Sequence, residues 1–124
     1  MINVVLVTHG FLGAELVRTA EGILGPQDGV GFVSNSGTSL ETLSDQVRRL
    51  LSREDDPVLL LVDLLGGSCS HACQEIRRLN RNVVLISGVN LPMLLEFFYN
   101  RDRVPFEDLV RRLCERGKDG IRCL

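Results

Sequence analysis

The sequence is poor in aromatic residues, in basic charge and in long apolar runs. It has no Trp, one Tyr and five Phe, and none of these lies in the polar loops predicted after the second and third strands, which disfavours a flavin site. No apolar run approaches the roughly 20 residues needed to cross a bilayer. The net charge of -2 lacks the basic surplus typical of nucleic-acid-binding proteins. These absences argue against flavin-binding, membrane-spanning and nucleic-acid-binding classes.

The length and the cysteine content point to a reduced, globular protein. A chain of 124 residues is long enough for one hydrophobic core, so we expect a single domain over residues 1–124. The N-terminus shows no positively charged segment ahead of an apolar stretch, so we expect no signal peptide and a cytoplasmic location. In that setting Cys69, Cys73, Cys114 and Cys123 are expected to be free thiols.

Strand-like and helix-like patterns alternate along the chain. Apolar runs typical of strands occupy residues 4–7, 30–33, 58–62 and 83–86. Helical spacing is found at residues 12–24, 39–51 and 68–79, and two further helices begin near Asn90 and Pro105. Continuously apolar strands are typical of parallel sheets buried on both faces. The sequence therefore predicts a doubly wound α/β fold: a mainly parallel four-stranded sheet with helices on both faces, and a short C-terminal strand at residues 120–124.

The spacing of apolar residues also predicts which side of each helix faces the core. The predicted stripes are Leu12, Leu16, Ala20, Ile23 and Leu24 in the first helix, Leu40, Leu43, Val47, Leu50 and Leu51 in the second, and Cys69, Ala72, Cys73 and Ile76 in the third. His71 lies about 100° away from the third stripe, because a helix has 3.6 residues per turn. We therefore expect His71 to be exposed, Cys69 and Cys73 to be core thiols, and this segment to bind no metal.

Polar residues stand where two of the predicted strands end. His9 follows the first strand and Asp63 follows the third. In the common strand order 2-1-3-4, the first and third strands are neighbours, and the winding direction of the sheet reverses between them. Ligands of such sheets bind at this point, outside the carboxyl ends of the strands. An imidazole can attack phosphorus through one nitrogen while a carboxylate fixes the proton on the other. Gly66, Gly67 and Ser68 lead into a helix whose N-terminus favours an anion. A nucleophile, an orienting carboxylate and an anion-binding turn together predict phosphoryl transfer, although each of these residues could also be an ordinary loop residue.

Three longer segments carry a family resemblance. They are VVLVTHG at residues 4–10, followed by TAE at 19–21, then VDLLGGS at 62–68 and GVNLPML at 88–94. Their order and separations resemble those of enzyme IIA domains of the mannose-family sugar phosphotransferase system (mannose/fructose/sorbose type), over essentially the whole chain. The chain departs from the family pattern at Cys69, Ser70 and His71, where a Pro-Phe-Asn-like stretch is common.

The resemblance implies specific roles and partners. His9 would be the phosphorylated nucleophile, Asp63 its hydrogen-bonding partner that orients the imidazole, and Gly66, Gly67 and Ser68 the phosphate site. The chain would be a phosphotransferase that accepts its phosphoryl group from the histidine-containing phosphocarrier protein HPr and passes it to a IIB component. The membrane would be involved only through other transporter subunits. The resemblance further implies a homodimer in which residues 120–124 cross to the other subunit. We expect no metal and no cofactor.

Two other purposes for the same chemistry stay open. The chain could be a stand-alone regulatory sensor whose phosphorylation state controls another protein, or a phosphodonor to a dihydroxyacetone kinase. The motif at residues 63–68 fits the transporter type better than the kinase type. The resemblance does not identify the sugar, because specificity belongs to other subunits.

Overall fold

Strands and helices alternate in the computed structural model, which describes residues 1–51 and 56–124. The strands are β1 (Asn3–Thr8), β2 (Val30–Ser34), β3 (Val58–Val62) and β4 (Val83–Ser87). The helices are α1 (Leu12–Leu24), α2 (Leu40–Leu50), α3 (Gly67–Leu79), α4 (Leu91–Asn100) and α5 (Phe106–Asp119). The predicted order of four strands and five helices is confirmed, without the predicted C-terminal strand. None of these described helices has the length and apolar character to cross a membrane.

The four strands form one parallel sheet in the order β2-β1-β3-β4. Val7 of β1 is in register with Val33 of β2 on one side and Val62 of β3 on the other. From β1 the chain first adds β2 on one side of β1, and it later adds β3 on the opposite side of β1. The winding direction of the sheet therefore reverses between β1 and β3. The predicted strand order is therefore confirmed, and the carboxyl ends of β1 and β3 are neighbours.

Side chains of the sheet alternate between two cores. Val4 and Leu6 of β1 belong to a cluster that includes buried residues of α1, α4 and α5. Val5 and Val7 point the other way, into a cluster with buried residues of α2 and α3. All five residues of β3 are buried, as expected for a central strand covered on both faces. The prediction of helices on both faces is confirmed.

The buried face of α1 differs from the predicted stripe. Gly13, Val17 and Ala20 are its buried residues, whereas Leu12 and Ile23 are exposed. The cause is a close approach of the helix to β1, since a Cβ atom on Gly13 would lie 3.1 Å from Oγ1 of Thr8. This contact turns the glycine side of α1 towards the sheet, and the predicted inward positions of Leu12, Ile23 and Leu24 are wrong.

The second and third helices follow the predicted stripes to different degrees. In α2, Leu43 and Val47 are buried, but Leu40 and Leu50 at the two ends are exposed, so the predicted stripe is too wide. In α3 the four predicted residues are all buried and His71 is exposed, as predicted. The buried positions of α3 run from Cys69 to Ile76, whereas those of α2 are confined to Leu43 and Val47 in its central turns.

The C-terminal segment forms no strand in this chain. Gly120 caps α5, and the described residues 121–124 have no regular secondary structure and are exposed, including the apolar Ile121 and Leu124. The predicted C-terminal strand is therefore absent from the single chain. Its exchange into a second copy stays a prediction.

Asn90 links α4 to α5, and its replacement tests how much this link stabilises the fold. Its Oδ1 accepts a hydrogen bond from the Met93 amide (3.1 Å) as a helix cap, and its Nδ2 donates to the carbonyl of Gly117 (2.9 Å). We expect Asn90→Ala to lower the free energy of unfolding by about 0.5–2 kcal/mol, the range for loss of a cap. Urea denaturation measures this change. Asn90→Asp keeps the cap acceptor and should lose less; an equal loss in both variants would contradict the capping role.

Candidate functional site

His9 and Asp63 meet at the carboxyl ends of β1 and β3. Nδ1 of His9 lies 3.0 Å from Oδ2 and 3.2 Å from Oδ1 of Asp63, and the backbone amide of His9 donates to Oδ2 at 3.0 Å. One carboxylate thus holds both the backbone and the ring of the histidine. The His9 side chain is 44% exposed and that of Asp63 only 10%. The imidazole therefore faces solvent while its partner carboxylate lies behind it.

The turn that carries His9 is fixed by neighbouring loops. Oγ1 of the buried Thr8 accepts a hydrogen bond from the Gly13 amide (2.8 Å), which joins the end of β1 to the start of α1. Asn35, in the loop after β2, donates its backbone amide to the Thr8 carbonyl (3.1 Å). Its side-chain Oδ1 accepts a hydrogen bond from the Gly10 amide (3.3 Å). These bonds hold residues on both sides of His9, so the position of the imidazole is set by the sheet.

The glycine turn after β3 brings the N-terminus of α3 to the imidazole. Gly66 and Gly67 both have positive φ values (99° and 80°), which side-chain-bearing residues rarely adopt. A Cβ atom on Gly67 would lie 3.6 Å from Nε2 of His9, so this turn passes directly beside the outer ring nitrogen. Ser68 follows within the first turn of α3, which carries no acidic residue. The free amides and the dipole of such a helix end favour a bound anion.

Two cysteines of α3 lie behind the site. Burial and the nearby Asp63 carboxylate raise the pKa of the Cys69 thiol. Burial raises the pKa of the Cys73 thiol to about 12, one turn further along the helix. All four cysteines lie in the described residues and are free thiols, as the sequence predicts. At neutral pH Cys69 and Cys73 are therefore protonated, apolar core residues rather than nucleophiles.

Exposed apolar side chains lie in the segments that carry His9 and Asp63 and in the neighbouring strand β2. Phe11 is 74% exposed and Leu65 is 71% exposed, and Leu64 and Phe32 are also largely exposed. Beside His9, a cleft of about 200 Å³ opens at the carboxyl ends of β1 and β2. Its lining residues are Thr8, Gly10, Phe11, Ala14, Phe32, Val33 and Ser34. An exposed apolar rim around a polar centre is typical of a surface that binds another protein.

Sequence reasoning missed three contributors to this site. Thr8 and Asn35 form the hydrogen bonds that hold the His9 turn, and Cys69 lies close to both His9 and Asp63. A signal for the apolar rim was present, because Leu64 and Leu65 are large apolar residues inside a predicted loop. The sequence carried no comparable signal for Asn35, because its contacts join two separate strand ends.

A family model and several curated relatives match the chain. The model described as "PTS system fructose IIA component" (EIIA-man) matches residues 3–114. The "PTS system mannose-specific EIIAB component" of Escherichia coli strain K12 is 38% identical over 127 residues, covering 99% of this chain and 39% of the relative. The "PTS system fructose-specific EIIA component" of Bacillus subtilis strain 168 is 29% identical, covering 91% of this chain and 80% of the relative. The chain thus spans about two fifths of the length of the E. coli relative.

Solved structures of phosphotransferase system components share the fold of this chain. The phosphotransferase system component EIIA from Streptococcus agalactiae has a TM-score of 0.91 at 26% identity, and the match covers 99% of this chain and 97% of that one. The mannose/sorbose-specific IIA subunit from Enterococcus faecalis has a TM-score of 0.88 at 21% identity, covers 98% of this chain and 93% of that one, and supports the fold. With the family model matching almost the whole sequence, the chain belongs to the enzyme IIA components of the mannose family of the sugar phosphotransferase system.

Proposed function

We propose that the chain is a phosphocarrier that takes a phosphoryl group from phosphorylated HPr onto His9 and passes it to a IIB component. Family membership supports phosphoryl transfer within a sugar phosphotransferase system as the general role. The observation that carries the specific proposal is the hydrogen bond of 3.0 Å between Nδ1 of His9 and the Asp63 carboxylate, beside the N-terminus of α3.

This geometry supports Nε2 as the nitrogen that receives phosphorus. A carboxylate only accepts hydrogen bonds, so Asp63 favours the tautomer with the proton on Nδ1. Nε2 then keeps its lone pair, and it is the nitrogen that faces Gly67. As the N–P bond forms, positive charge develops on the ring, and the Asp63 carboxylate stabilises it through the Nδ1 proton. The proposed roles are therefore nucleophile for His9 and positioning residue for Asp63.

The transfer balances without any further reactant. The lone pair of Nε2 attacks phosphorus, and the bond between phosphorus and the donor histidine of HPr breaks, returning its electron pair to that imidazole. The phosphoryl oxygens would lie against the turn of Gly66, Gly67 and Ser68, where backbone amides and a hydroxyl can donate hydrogen bonds. In the second transfer a nucleophile of the acceptor attacks phosphorus, and the bond between phosphorus and Nε2 breaks, returning its electron pair to the His9 imidazole. Positioning and charge stabilisation are what such a step requires.

The surface around His9 supports a protein, rather than a small molecule, as donor and acceptor. Phe11 follows His9 closely in sequence, Leu64 and Leu65 directly follow Asp63, and all three expose apolar area. The cleft next to the His9 turn has a volume of only about 200 Å³. Small-molecule sites are usually deeper, at about 300–1,000 Å³, and enclose most of the ligand. An apolar rim around one reactive nitrogen fits docking of another protein face.

Mass spectrometry after incubation with phosphoenolpyruvate, enzyme I and HPr tests the proposal. We expect the intact chain to gain the mass of one phosphoryl group, to lose it in acid, and to carry it on the peptide that contains His9. The chain has two histidines, and the peptide with the exposed His71 serves as an internal control. Label on the His71 peptide, or an acid-stable label, would refute the proposal.

A further inference from the structure

The thiol of Cys69 lies at the proposed phosphorylation site but has no part in the phosphoryl step. A ring nitrogen of His9, a carboxylate oxygen of Asp63 and Sγ of Cys69 all lie within 4.8 Å of one another. Cys69 is fully buried, whereas His9 is exposed, so an ion would have to enter from the imidazole side. We propose that His9, Asp63 and Cys69 form a binding site for a thiophilic divalent cation, with Zn²⁺ as the fitting ion.

The donor set matches the preferences of zinc. Imidazole nitrogen, carboxylate oxygen and thiolate sulfur all bind Zn²⁺ at about 2.0–2.3 Å in tetrahedral geometry. Two donors on one such ion are about 3.5 Å apart. The widest spacing among the three donor atoms is at most 4.8 Å, so it would have to close by up to about 1.3 Å. Three protein ligands leave the fourth position for water or another ligand. The sulfur donor disfavours Mg²⁺ and Ca²⁺, which prefer oxygen-only sites.

Binding at Cys69 is an exchange of a proton for a metal ion. The S–H bond breaks, the S–Zn bond forms, and the proton leaves to solvent, so no oxidant or other reactant is needed. Cys73 lies one turn further into the core and is not one of the three clustered residues.

A bound metal would also stop phosphorylation. His9 would either give its Nε2 lone pair to the metal or bind through Nδ1 and lose its hydrogen bond to Asp63. In both cases the imidazole can no longer attack phosphorus as proposed. This consequence rests on the proposed function, whereas metal binding itself does not. The site would therefore make the phosphoryl relay sensitive to zinc.

Absorption spectroscopy with Co²⁺, used as a coloured substitute for Zn²⁺, tests the site directly. We expect one equivalent to produce a thiolate-to-cobalt charge-transfer band and the intense visible bands of a four-coordinate ion, both removed by added Zn²⁺. The substitutions Cys69→Ala and Asp63→Asn should each weaken the affinity for Co²⁺ by about 100-fold or more. Loss of a residue that only supports a metal ligand costs less, roughly 10–100-fold in affinity. Cys73→Ala and His71→Ala should bind as the unchanged chain does.

Cys73→Ala is the matched control because it removes a second buried thiol from the same helix face. A thiolate band that survives in Cys69→Ala would overturn the proposal, and so would a band that requires Cys73 but not Asp63. If a variant fails to fold, the unchanged chain still decides: no thiolate band with Co²⁺ refutes the site.

A single-turnover reaction with purified phospho-HPr tests the effect on labelling. At a Zn²⁺ concentration about ten times its Kd, about a tenth of the chain is metal-free, so the rate should fall about tenfold. The readout is the ratio of the labelling rate with Zn²⁺ to the rate without it, measured for the unchanged chain and for Cys69→Ala. This ratio should approach one in Cys69→Ala. The same ratio in the unchanged chain and in Cys69→Ala would refute the inhibitory effect. If no chain is labelled even without Zn²⁺, the proposed function fails and the Co²⁺ spectrum alone decides the metal site.

Discussion

Replacing His9 by Ala is expected to abolish labelling by phospho-HPr, whereas His71→Ala is expected to be labelled at the rate of the unchanged chain. The proposed nucleophile is the outer ring nitrogen of His9, which lies beside the glycine turn of α3. His71 is exposed on α3 and lies outside the contacts that hold the site. Transfer of radioactive phosphate from HPr, followed on a gel run at alkaline pH, measures both variants in one experiment.

The His9→Ala variant should also fold normally, which keeps the result interpretable. The His9 side chain is 44% exposed, so its removal takes little surface out of the core. The Asp63 carboxylate keeps the backbone amide of residue 9 as a hydrogen-bond donor, because this bond does not depend on the side chain. Circular dichroism and thermal denaturation should therefore match the unchanged chain. Labelling of the folded His9→Ala variant at the normal rate would show that another residue receives the phosphoryl group.

Most of the fold could be predicted because its strands are continuously apolar. The run at β3 has no polar residue, which indicates a strand covered on both faces, and its burial is complete. The helix faces were harder to predict where packing departs from simple periodicity. Gly13 lets α1 approach Thr8 closely, and this approach decides that Leu12 faces solvent. A pattern of apolar residues cannot carry this information, because the close contact depends on the absence of a side chain.

The centre of the site could be predicted from strand ends, but its supports could not. His9 and Asp63 are 54 positions apart in sequence, and parallel pairing of β1 with β3 is what brings them within 3.0 Å. Cys69 was predicted as a core residue from its place in the α3 stripe, and it is buried. The same periodicity does not reveal that its sulfur reaches the site, because this depends on where the first turn of α3 meets the end of β3.

Asp63→Asn is expected to slow phosphoryl transfer to His9 by about 10²–10⁴-fold, the range that correct proton placement contributes in other active sites. The carboxylate accepts from both Nδ1 and the backbone amide of His9. An amide in its place is nearly isosteric, but it is neutral and can present a donor to Nδ1. It would then favour the wrong tautomer and would not stabilise the charge that develops on the ring. Rapid-quench kinetics with purified phospho-HPr measure the rate.

The residual product of this variant distinguishes orientation of the imidazole from a general loss of structure. With Asp63 present, we expect phosphate on Nε2 alone. In the Asp63→Asn variant, Nδ1 can carry the lone pair, so part of the residual phosphohistidine should be the Nδ1 isomer, which ³¹P NMR separates from the Nε2 isomer.

Asp108→Asn provides the matched control, because it neutralises an exposed carboxylate of α5 that pairs with Arg111 at the surface. It should leave both the rate and the isomer unchanged. An Asp63→Asn chain that is slow but yields only the Nε2 isomer would assign Asp63 to charge stabilisation alone. A normal rate would remove Asp63 from the mechanism, because the hydrogen bond at Nδ1 would then be a structural contact with no influence on which nitrogen attacks.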